Sequence, residues 1–76
     1  MDQITKNKIA QCLALSMEIE GAFFYKNPNV SLISVYKIEN NQQVWDYSAY
    51  YDEEFNNIDK MIKDLSNHIN NETPSH

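Results

Sequence analysis

The pair Asn40-Asn41 stands between two runs suited to β-structure, and it constrains this chain more than any other feature. Before it, Val30 to Glu39 alternates and is rich in β-branched and aromatic residues; after it, Val44 to Tyr51 has the same character. Asparagine tolerates positive φ, so two in succession fit a type I′ turn, whose twist suits a two-residue hairpin. With Asn40 and Asn41 as the loop, Glu39 faces Gln42 and Tyr36 faces Trp45. One sheet face then carries Val30, Leu32, Tyr36, Ile38, Trp45, Tyr47, Ala49 and Tyr51, and reads as the core. The other carries Ser31, Ile33, Val35, Lys37, Glu39, Val44, Asp46, Ser48 and Tyr50. A slip of one residue would scramble this partition, so turn and pattern together imply the register.

Other elements follow from local chemistry. Ala22 to Lys26 is short and aromatic, and Asn27-Pro28-Asn29 is turn chemistry, which predicts a first strand and a three-stranded antiparallel meander. Residues 3–20 read as a helix with Ile9, Cys12, Leu13, Ser16/Met17 and Glu20 near one stripe, widened by Leu15 and Ile19. Asp2 or Thr5 is placed to cap it, and Gly21, the only glycine, stands where a helix C′ residue turns left-handed. Asp52-Glu53-Glu54 is expected to open the last helix with Asp52 as N-cap, followed by Phe55, Ile58, Ile62, Leu65 and Ile69 at helical spacing. The expected fold class is α+β: helix, three-stranded antiparallel meander, helix, in two layers with both helices on the sheet face that holds Trp45. Residues 1–70 are expected to form a single small domain, and 71–76 a flexible polar tail.

Composition narrows the function. A chain of 76 residues makes one domain, and at this size only about 60 % of the unfolded chain's surface is buried. Cys12 is alone, so no disulfide supports the fold, which argues against a secreted miniprotein. The first residues lack the basic and apolar regions of a signal peptide, and no apolar run approaches the roughly 20 residues that cross a bilayer. The expected location is cytoplasmic, with no membrane partner. Six Lys, no Arg and eleven acidic residues give a net charge of −5. With no Arg fork for phosphate and no basic stripe, direct nucleic-acid binding is not expected.

No arrangement of residues points to catalysis. Asp46, Asp52, Glu53 and Glu54 have no glycine-containing ligand loop beside them and read as solvated acids. Asp64 and His68 share a helical face but are too few for zinc, and read as a surface carboxylate–imidazole pair. Cys12 lies among apolar residues and reads as a core cysteine. No serine has a nucleophile-elbow context, and a chain with one glycine has no phosphate-cradling loop. Neither an enzyme, a metal site nor a cofactor is expected.

The nine aromatic residues carry more information. Phe23, Tyr25, Ile33, Val35, Val44 and Tyr50 fall on the face opposite Trp45, which neither helix would cover. An exposed apolar face marks an interface, and Asp46, Glu53 and Glu54 would add negative charge to it. These nine residues are the candidate partner-binding set. The expected function is a small acidic, non-catalytic protein-binding module whose partner is another protein, basic or itself nucleic-acid-binding. In size, charge and Asn-rich composition the chain resembles small phage or mobile-element proteins that inhibit host nucleases and defence systems, anti-CRISPR and anti-restriction proteins among them. That resemblance implies an inhibitor acting as a mimic of DNA. Two alternatives stand beside it: a homodimeric structural or assembly protein joined through the open sheet face, and a nucleotide-type ligand binder that stacks a ring on Trp45, Tyr47 and Tyr51.

Overall fold

The computed structural model describes residues 2–72, in the order α1 (Gln3–Met17), β1 (Ala22–Asn27), β2 (Leu32–Glu39), β3 (Gln42–Tyr50) and α2 (Ile58–Glu72). Asp2 caps α1: its Oδ1 accepts the Thr5 amide at 2.7 Å, and that bond holds the Asp2 carboxyl below its usual range. The helix ends earlier than its apolar residues suggest. Glu18 is the C-cap, its amide donating to the Leu15 and Ser16 carbonyls, and a short turn leads to Gly21. Gly21 has φ +79°, so glycine is needed there, but it shapes the entry to β1 and is not the C′ residue of α1.

The strands form one antiparallel sheet in the order β1-β2-β3. Asn40 and Asn41 have φ values of 53° and 63°, and Glu39 pairs with Gln42, as the type I′ turn requires. The regular ladder stops two residues later. Ile38 pairs with Gln43 but Lys37 pairs with Trp45, leaving Val44 as an extra residue in a β-bulge. From there Tyr36 faces Asp46, Val35 faces Tyr47 and Ile33 faces Ala49. The bulge therefore corrects the expected partition of β2. Ile33 and Val35 are fully buried at 0 % exposure, on the same side as Trp45, Tyr47 and Ala49. Leu32, Tyr36 and Ile38 lie on the far side, and Val30 is exposed rather than buried.

Both helices pack on the side holding Trp45, giving two layers and a body only 16 Å across in its shortest Cα dimension. Helix α1 lies over β1 and β2, and α2 lies beside it over β3. Lys8 and Asp59 join the helices by an ion pair of 2.9 Å. The core comprises Ile9, Cys12 and Ile19 from the first helical region, Ile33, Val35, Ala49 and Tyr51 from the sheet region, and Ile58, Met61 and Leu65 from α2. Leu13 and Met17, expected on the inner stripe of α1, are exposed.

Helix α2 begins at Ile58, not Asp52. Asn56 and Asn57 are the reason. Tyr51 bridges Asn56, Asn57 exchanges hydrogen bonds with the Tyr50 backbone through its own amide and Oδ1, and Asn56 Oδ1 accepts the Ile58 amide. This side-chain chemistry folds 52–55 into a loop and delays the helix. Phe55 is accordingly 65 % exposed and outside the core. At the other end α2 runs through Glu72, into the stretch expected to be tail; residues 73–76 lie outside the described residues.

The register makes a quantitative prediction. Ile33→Ala should cost about 2–5 kcal/mol, as for a buried aliphatic that leaves a cavity, whereas Ile38→Ala should cost under about 1 kcal/mol. Urea denaturation of both variants checks this, and the reverse order would mean that the strand lies in the regular, unbulged register.

Candidate functional site

Antiparallel Cα partners project to the same side of a sheet, so the register specifies the outer face row by row. One row is Phe23, Tyr36 and Asp46; the next is Tyr25, Ser34 and Ser48; the third is Asn27, Leu32 and Tyr50. Phe23 and Tyr36 stack with ring centroids 5.5 Å apart. Phe55 meets Tyr50 edge-on at 5.7 Å, so the loop made by Asn56 and Asn57 lengthens the aromatic surface beyond the strand. Phe23 is 53 % exposed and Tyr25 47 %, and no helix covers them.

Polar groups run through the middle of this face. The Ser34 and Ser48 hydroxyls are 2.8 Å apart, and Ser48 Oγ donates to both Asp46 carboxylate oxygens at 3.2 and 3.3 Å. Ser34 therefore donates to Ser48, and Ser48 to Asp46, which orients the carboxylate. At the far end Val30, Tyr50, Asp52 and Phe55 line an open depression of about 410 Å³.

Of the nine expected site residues, Phe23, Tyr25, Asp46 and Tyr50 lie on the outer face. Val44 is exposed at the bulge, and Glu53 and Glu54 are exposed in the loop before α2. Ile33 and Val35 do not belong to the site, because the bulge turns them into the core. Tyr36 and Leu32, which the alternation puts on the core face, take their place on the outer face, and Phe55, expected in the last helix, lies beside it. Tyr36 and Leu32 are placed by their β1 partners, Phe23 and Asn27, while Phe55 is placed by its contact with Tyr50.

The helix side is arranged differently. His68 lies half-buried against Trp45, with centroids 4.5 Å apart, and its Nδ1 shares a 3.0 Å hydrogen bond with the Tyr47 hydroxyl. Asp64 is bound to Lys60 at 2.8 Å. Tyr51 is in the core, and Tyr47 opens on a shallow depression with Asp64, Asn67, His68 and Asn71. Trp45 and Tyr47 lie side by side with ring centroids 5.5 Å apart, whereas Tyr51 is in the core. Among the described residues no three His, Cys, Asp or Glu side chains converge, and no helix is long and apolar enough to cross a membrane.

The chain matches no known family model, no curated protein and no solved structure. Its chemistry must be read from its own residues.

Cys12 is completely buried, and desolvation pushes its thiol up from 9.0 to about 11. A raised folded-state pKa means that the folded chain holds a proton the unfolded chain releases, so this contribution is intact below pH 9 and lost between pH 9 and 11. Chemical denaturation across that window should show wild-type stability falling by about 2 kcal/mol more than that of Cys12→Ala. Parallel curves for the two proteins would show that Cys12 is not desolvated.

Proposed function

We propose that this chain is a non-catalytic protein-binding module whose docking surface is the outer face of the sheet. The observation that carries this reading is the exposure of Phe23, Tyr25 and Tyr50, with half-buried Tyr36 and Leu32 between them and Phe55 beyond, on a face that neither helix covers. Large apolar side chains exposed together on one face mark an interaction site. Aromatic residues are also the side chains that contribute most to protein interfaces.

Charge supports a protein as the occupant in preference to nucleic acid. Single-strand binders combine stacking rings with cations, and none of the six lysines is on this face. Lys6, Lys8, Lys60 and Lys63 are on the helices, while Lys26 and Lys37 lie on the inner side of the sheet. Asp59 and Asp64 are paired with Lys8 and Lys60, and Glu39 with Lys37. On this reading the remaining acidic surplus acts as a steering charge for a basic partner.

Site-specific crosslinking tests this reading. A benzophenone amino acid replacing exposed Tyr25 should crosslink one defined protein in the source cells, and the same group replacing Lys63 on the helix side should not. Equal labelling from both positions, or none from Tyr25, would overturn the assignment. A product of twice the chain mass, formed only from Tyr25, would identify self-association through the same face.

A further inference from the structure

We propose that the partner presents an arginine or lysine within an apolar patch, and that this cation is received between the Asp46 carboxylate and the Tyr36 ring. The proposal rests on the docking reading above and specifies what docks. Asp46, Tyr36 and Phe23 form one row across the strands: a carboxylate, a ring as its cross-strand neighbour, and a second ring stacked on the first at 5.5 Å. A planar cation placed there meets an acceptor at its edge and a π-face beneath it, the two contacts that guanidinium groups combine best. Asp46 is already oriented by Ser48, which Ser34 braces in turn, so little side-chain freedom remains to be lost on binding.

The charge distribution selects this occupant over a second copy of the chain. Asp46 is the only charged side chain in the three rows, and every lysine is elsewhere. Two such faces pressed together would offer Asp46 no cation, leaving a carboxylate to be desolvated without compensation. Each copy also carries a net charge of −5, which opposes self-association and attracts a basic partner. The depression at the other end repeats the pattern, with Asp52 beside Val30, Tyr50 and Phe55. A matching partner surface is apolar in the middle and basic at its ends.

Panning a random peptide library on the intact chain tests the proposal. Clones that still bind the Phe23→Ser/Tyr25→Ser variant are discarded, and circular dichroism confirms that this variant, altered only at exposed side chains, keeps its fold. The retained peptides should carry Arg or Lys among apolar residues. Their affinity should fall about tenfold for Asp46→Asn, and equally when citrulline replaces the arginine, with a difference that shrinks as salt is added. Retained peptides that lack a cation and ignore Asp46→Asn would overturn this proposal and leave the docking face standing. Recovery of no face-dependent peptide would end both. A wild-type chain that sediments as a dimer, and as a monomer when Phe23 and Tyr25 are replaced, would assign the face to a second copy and overturn the cationic partner.

Discussion

The extra residue at Val44 decides which half of the sheet becomes interior. Below the bulge the hairpin follows its Asn-Asn turn; above it, every side chain of β2 is exchanged between faces relative to β3. The interior gains Ile33 and Val35, compact branched residues at the centre of the sheet, where two helices must lie close. Each is worth about 1.5–3 kcal/mol when fully buried. The bulkier Tyr36 and the equally apolar Leu32 are sent outward, where Tyr36 stacks on Phe23. The helix-packed core and the open aromatic face are thus two results of one backbone irregularity.

That dependence explains what could be read from the sequence and what could not. The order of elements, the α+β class, the type I′ turn and the placement of both helices on the Trp45 side follow from patterns within a few residues of one another. The face assignment of β2 does not, because both of its faces are apolar: Ile33 and Val35 alternate with Leu32, Tyr36 and Ile38, and no polar series marks the outside. Where either face can be buried, alternation loses its power to define register, and a single bulge decides it. The start of α2 misled for a different reason. Asp52, Glu53 and Glu54 have the charge a helix N-terminus favours, but the Asn56 and Asn57 side chains bind backbone groups and hold the preceding residues in a loop. Asp46 and Tyr50 lie on the outer face because they share β3 with Trp45, where alternation along one strand sets their side; the facing of Ile33 and Val35 depends on the cross-strand register, which the bulge reverses.

The acidity also resolves into parts with different roles. Asp2 caps a helix, and Asp59, Asp64 and Glu39 neutralise lysines on the helix side. These exposed pairs contribute little to stability, but they leave the helix layer electrically mixed while the outer sheet face is free of cations. The outer face thus carries a single carboxylate and no lysine, while most of the net charge of −5 lies on the helices, turns and loops around it.

An open sheet with exposed rings invites indiscriminate pairing, and the edges of this one are protected against it. Strand β1 is only six residues long and runs into Pro28, β3 is bent by its bulge, and its last residues are tied to Asn56 and Asn57. Short, interrupted and covered edges deny an incoming strand its ladder. On the face itself, Ser34, Ser48 and Asp46 interrupt the aromatic surface, so a purely apolar contact would leave hydroxyls and a carboxylate without water. Strand addition and nonspecific apolar packing are both disfavoured. On the docking reading proposed above, specificity comes from the polar groups and affinity from the rings, a division that lets so small a domain keep a face open in water without losing selectivity.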